Sequence, residues 1–228
     1  MDIRLQLITQ QQIIFNGIKI YQPSLSEIIK IGIEEYNYQL LPFIVDIETL
    51  NLPIQASEMS IFDILTLENN LPILLTAIKQ FCRLSEMKFD ESLKRLYIDN
   101  GYLDRKNFKE FSDIILKINS KERPKIEKTP NFTSNKQKEI WDKIQKGRKR
   151  KESTNQLYLF DMINVCEFGG EYHIPMSEIM TWSLWRISNC YKTILSKSGY
   201  KDSFNIFLVS GEKELIENKH WLEQIKIS

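Results

Sequence analysis

The sequence predicts an α+β fold: a small N-terminal antiparallel sheet with helices, a basic linker, and a mainly helical C-terminal lobe. Three observations carry this. Asn16-Gly17 lies between two short runs rich in β-branched residues; Ser24-x-x-Glu27 stands directly before apolar residues at helical spacing; and a basic, apolar-poor stretch at 121–151 separates two apolar-rich parts. The expected division is 1–120, an α+β domain; 121–153, a basic and partly disordered linker with a helix; and 154–228, a helical lobe.

The chain opens with the sheet. Gln12-Ile13-Ile14-Phe15 and Ile18-Lys19-Ile20-Tyr21 flank Asn16-Gly17, a pair that tolerates the positive φ of a type I′ turn. Ile3, Leu5 and Leu7 alternate with polar residues and predict a third strand. After Pro23, Ser24 and Glu27 form a capping box. Leu25, Ile28, Ile29, Gly32, Ile33 and Tyr36 then share one helix face, with an end expected near Tyr38, before Pro42.

Further helices are expected over 60–68 and 72–84, the second with Pro72 in its first turn. Met87-Lys88-Phe89 and Leu96-Tyr97-Ile98 read as short strands, with Asn100-Gly101 as a turn after the second. Asp104 is placed to cap a helix through Ile118, with Phe108, Phe111, Ile114, Ile115 and Ile118 on one face and Leu103 stapling its start.

Residues 121–151 carry twelve basic and four acidic side chains, a charge of +8 that leaves −7 on the remainder of a +1 chain. Such a segment lacks apolar surface to bury, so it reads as a linker, with a solvated helix from Lys136. Beyond it, 156–168 is helical and ends at Gly169-Gly170. Pro175 opens a long helix from Met176 to about Lys197, with Gly199 as its stop. Phe204 to Ser210 reads as a strand or loop, and a helical segment follows Gly211.

Composition narrows the function classes. Hydrophobic residues at 42% and charged residues at 27% are an ordinary globular balance. The N-terminus lacks a basic-then-apolar leader, and the longest apolar-rich stretch, 71–78, falls far short of the ~20 residues that span a bilayer. Cys82, Cys166 and Cys190 are far apart and odd in number, which predicts reduced, mostly buried thiols rather than a metal or disulfide framework. His173 and His220 have no ligand-spaced partner. The carboxylate neighbours Glu34-Glu35 and Glu110/Asp113 read as solvated. No phosphate-binding glycine loop or nucleophile elbow is present. The expectation is a binding protein without metal, cofactor or catalytic residues.

Two features could contact a partner. The run Lys143-x-x-Lys146-Gly147-Arg148-Lys149-Arg150-Lys151 suits an acidic protein or nucleic acid, or simply keeps a linker solvated. Lys146, Arg148, Lys149 and Arg150 are the candidates there. Trp182-x-x-Trp185, with Arg186 and Tyr191, places aromatic residues along one flank of the expected helix. Such a flank is either a buried face of the C-terminal lobe or an exposed partner surface, where Trp is enriched.

The layout resembles tail assembly chaperones of long-tailed phages of Gram-positive bacteria and their prophage relatives. The resemblance runs through Ile18-Lys19-Ile20-Tyr21-Gln22-Pro23-Ser24-Leu25-Ser26-Glu27-Ile28, Ile31-Gly32 and Tyr36. It continues through Asn107-Phe108, Ile118-Asn119, the charged linker, Leu184-Trp185-Arg186, Tyr191 and Lys219-His220-Trp221. It implies a non-enzymatic protein in the cytoplasm of the infected host that needs no cofactor. Its partners would be the tape-measure protein, which it keeps soluble, and the tail-tube protein, which it helps recruit. The alternative is a nucleic-acid-binding phage or mobile-element protein that uses segment 136–151. An enzyme with an unfamiliar site is the third reading.

Overall fold

The computed structural model of the chain describes residues 3–46, 59–83, 86–123, 136–143, 146 and 158–211. The fold is α+β, as the sequence predicts, with two small antiparallel sheets among the described residues. Helix α1 (Ile3–Thr9) precedes strands β1 (Ile13–Phe15) and β2 (Ile18–Ile20). Asn16 and Gly17 both take positive φ, 47° and 83°, so the turn twists with its strands. Ile13, Phe15, Ile18 and Ile20 face the core, while Ile14 and Lys19 face out.

The expected third strand is instead α1. Leu7 is fully buried, Ile3 packs on the core and Leu5 is 63% exposed. A strand would have put all three on one face; an i, i+4 helical pair buries only Ile3 and Leu7. Gln10, at φ 56°, turns the chain out of the helix.

The capping box is present. Glu27 N–H donates to Ser24 Oγ at 3.3 Å, and Ser24 N–H to Glu27 Oε2 at 2.8 Å. The single helix expected from it is two, α2 (Leu25–Ile31) and α3 (Ile33–Ile44), broken at Gly32. Gly32 sits at φ 95°, where its N–H closes α2 on Ile28 and its carbonyl starts α3 by accepting from Tyr36. The helix also runs past Pro42. Only two helical residues follow that proline, and one of them, Phe43, is fully buried against Phe81, Phe108 and Phe111.

Helix α4 (Ile61–Leu65) is capped by Ser60 and Asp63, and α5 (Leu71–Cys82) buries Leu74, Ala77, Ile78, Phe81 and Cys82. Strands β3 (Met87–Asp90), β4 (Arg95–Ile98) and β5 (Gly101–Leu103) form an antiparallel meander. The expected Asn100-Gly101 turn is displaced by one residue: Asp99, at φ 49°, makes the turn and Gly101 begins β5. The Asp104 carboxylate accepts from Lys106 and Asn107 N–H in the turn before α6 (Phe108–Ile118), so it shapes the approach to that helix rather than capping it. The core is aromatic at its centre, with Phe43, Phe62, Phe81, Phe108 and Phe111 all under 2% exposed. Tyr36 is buried among them and donates its hydroxyl to Asn119 Oδ1.

After α6, residues 136–143 belong to a largely exposed helix, α7. Helix α8 (Leu159–Phe168) ends at Gly169, as expected. The long helix expected from Met176 is divided into α9 (Met176–Ile179) and α10 (Leu184–Ser210). Ser183 makes the break: extended at φ −72°, ψ 159°, it accepts from Arg186 N–H and restarts the helix. Gly199 does not stop α10. The helix runs eleven residues further, through the stretch expected as strand or loop, to a left-handed cap at Gly211. The helical segment expected after Gly211 lies outside the described residues.

The break at 180–183 joins the N-terminal elements to the C-terminal helices. The first amides of a helix have no intrahelical acceptor. In α2, Leu25 N–H donates to Trp182 O at 2.8 Å and Ser26 N–H to Met180 O at 3.0 Å. Ser183 N–H donates in turn to Gln10 Oε1. Leu25 packs with Cys166, Ile179, Trp182 and Ile187 in a second core cluster, while Trp185 joins the main one.

Candidate functional site

Of the aromatic candidates, Trp182 is 4% and Trp185 7% exposed. They do not share a helix flank. Trp182 lies in the turn before α10 and packs in the second cluster, whereas Trp185 reaches into the main core. Of the two readings of this flank, the indoles take the buried one, and a buried ring presents no surface to a partner. Arg186 caps Trp182 from outside, its guanidinium 4.4 Å from the ring centroid and 3.9 Å from Glu178. Tyr191 is half-buried against the second cluster. Among the basic candidates Lys146 is exposed, and Arg148, Lys149 and Arg150 lie outside the described residues.

The open apolar surface lies elsewhere. The last three turns of α10 expose Phe204, Ile206, Leu208 and Val209, the last at 91%. The Tyr200 and Phe204 rings stack at 6.5 Å, and Phe207 lies 6.4 Å beyond Phe204. Next to this end, α10 and the loop after α8 border a groove of about 660 Å³, lined by Gly169, Gly170, Glu171, Tyr172 and Ile174 on one side and by Cys190, Thr193, Ile194, Lys197, Ser198 and Lys201 on the other. Glu171 fixes the loop to the helix through Lys197 at 3.0 Å and Lys201 at 3.6 Å. Lys197, then Lys201, holds its carboxyl below the usual carboxylate range. Tyr172 at the groove's edge is 82% exposed, and Phe168 beside it 69%. A signal for this surface is present in the sequence: Tyr200, Phe204 and Phe207 keep helical spacing past Gly199.

A second, polar cleft of about 340 Å³ opens where α6 meets α10. Lys117, Lys121, Arg123 and Lys192 line it with Asp113 and Glu122, over the edge of Trp185. Arg123 is paired with Asp113 and donates to Lys109 O. Each lysine there is a surface cation with nothing to converge on, which gives the cleft a positive field rather than a shaped anion site.

Among the described residues, no three His, Cys, Asp or Glu side chains stand close enough to hold a metal. No described helix is long and apolar enough to cross a membrane. The chain matches no family model, no curated protein and no solved structure.

Proposed function

We propose that this chain is a non-enzymatic phage or prophage tail assembly chaperone, which binds the tape-measure protein and helps recruit tail-tube subunits. The observation that supports it is the apolar end of α10, with Phe204, Leu208 and Val209 in solvent, together with the groove of about 660 Å³ beside the preceding turns of the same helix. An amphipathic helix in such a groove buries its own apolar stripe and becomes soluble. Lys197 and Lys201 at the rim share one Glu171 carboxylate, and the net positive charge left there favours a partner helix with acidic flanks. Reversibility follows from the size of the patch: a few apolar side chains stabilise a complex that tail-tube subunits, with a larger interface, displace.

Coexpression with the candidate tape-measure protein tests this. The partner stays soluble and copurifies with the wild-type chain, and the double variant Phe204→Glu/Leu208→Glu loses it while its circular dichroism is unchanged. Equal capture by that variant removes the surface from the proposal. An insoluble partner with the wild-type chain removes the proposal itself.

The second reading, nucleic-acid binding through 136–151, has one observation in its favour: residues 136–143 form an exposed helix bearing Lys136, Lys138 and Lys143. Binding of this kind weakens steeply with salt. A mobility-shift titration between low and moderate salt decides it, and affinity that ignores salt excludes it.

A further inference from the structure

The three cysteines are all free, yet two of them share a site. Cys166 on α8 is completely buried. Its sulfur lies against one turn of α10: the thiol donates to Ile187 O at 3.4 Å, and Cys190 packs against the same buried cluster. Ile187 and Cys190 are three residues apart, so they share the helix face that α8 covers. Cys190 differs from its neighbour in access, because it lines the open groove between α10 and the 169–174 loop. One thiol thus borders the groove and the other is buried behind it.

We propose that Cys190 and Cys166 are an oxidant-responsive thiol pair, with Cys190 as the peroxide-reactive sulfur and Cys166 as the resolving thiol. The two sulfurs differ in acidity in the direction this needs. Cys190 beside it, and then burial, keep the proton on Cys166, while the neighbouring Cys166 thiol and the charge of Arg186 favour the Cys190 thiolate. The thiolate is the nucleophile. It attacks one oxygen of hydrogen peroxide; the O–O bond breaks, hydroxide leaves, and Cys190 becomes a sulfenic acid. The Cys166 sulfur then attacks the Cys190 sulfur, the S–O bond breaks, and the Cys166 proton leaves with the hydroxyl as water. The net change is one peroxide reduced to two waters and two thiols oxidised to one disulfide. That bond ties α8 to α10 across the wall of the groove, and a small dithiol reverses it. Cys82 takes no part: it is buried in the main core, away from both, and serves as an internal control.

Peptide mapping of the full chain tests this. The chain is treated with hydrogen peroxide, its remaining thiols are alkylated after denaturation, and it is digested without reductant. The expected product is one linked peptide pair containing Cys166 and Cys190, lighter by two hydrogens, with Cys82 alkylated; dithiothreitol restores both thiols. Before oxidation, Cys190 in the folded chain alkylates at least about tenfold faster than Cys166 or Cys82. In Cys166→Ser the Cys190 sulfenic acid persists and a dimedone probe captures it. A wild-type chain in which peroxide drives Cys190 to the sulfinic acid, links it only to another chain, or leaves it alkylatable overturns the proposal, and this readout does not require the variant to fold.

Discussion

Gly101 and Gly17 fix the β1–β2 turn against the start of β5. A Cβ on Gly101 would lie 2.2 Å from Asn16 O, and one on Gly17 would lie 2.9 Å from Asn100 O. Backbone atoms on both sides cannot yield as a side-chain tip can. Gly101→Ala is therefore expected to cost about 1–3 kcal/mol, in the range of core overpacking, read as a lower urea midpoint at unchanged slope. Burial also acts through ionisation. It holds the Tyr36 phenol protonated well above its usual range, and pushes Cys82 up to about 12 with help from the Asp99 charge. Unfolded tyrosine ionises near ~10 and cysteine near ~8.5. Each site's contribution is thus complete below the unfolded value and is lost as pH rises toward the folded one. The urea midpoint should fall from about pH 8.5 upward, and less steeply in Cys82→Ala than in the wild type. Tyr36→Phe should flatten the part above about pH 10. At neutral pH the same change leaves Asn119 Oδ1 without its donor, a loss of about 1–3 kcal/mol. An alkaline limb of equal slope in all three proteins would mean that other groups govern it.

Helix α10 crosses Gly199 without bending to a stop. Nothing lies within 4 Å of the position a Cβ would take there, and the residue is helical. Alanine removes the backbone freedom that glycine retains in the unfolded chain, so Gly199→Ala is expected to stabilise the protein by about 0.5–1 kcal/mol. An unchanged or lower melting temperature would argue that α10 is not continuous at 199. The position also marks the limit of what the sequence discloses. Asn16-Gly17, Ser24/Glu27 and the α6 stripe were legible because each is settled within a few residues: a turn conformation, a reciprocal cap, one periodic face. The break at Ser183 is not, because long-range partners stabilise it. The amides of Leu25 and Ser26 need the carbonyls of Trp182 and Met180, and no local pattern announces a partner more than 150 positions away. The seven-residue α1 fits helix and strand templates equally until burial chooses between them. The site fared similarly. Trp182 and Trp185 were found by residue type, but the break turned both inward. The exposed α10 end is hidden in the sequence by Gly199, an ordinary helix stop that this helix passes through.

The first turn of α10 belongs to both halves of the molecule. Leu184 and Trp185 pack on the core built by α3, α5 and α6, while Ile187 packs with Cys166 and Leu25. The N-terminal helix cap and the C-terminal helices therefore complete each other's hydrogen bonds and share one aromatic side chain. Neither half can unfold without leaving the other with orphaned amides and a cavity the size of an indole. Unfolding should then be a single cooperative event. In Trp141→Phe/Trp221→Phe, fluorescence reports only the two junction indoles, while far-UV circular dichroism reports all helices. The two urea transitions should coincide. Trp185→Ala should lower both together, by about 3–5 kcal/mol, whereas Phe204→Glu/Leu208→Glu, at the far end of the same helix, should move neither. A fluorescence transition that precedes the loss of ellipticity would mean that the junction opens first. The apolar end of α10 would then act from a separable lobe, and its binding would not be linked to the stability of the N-terminal core.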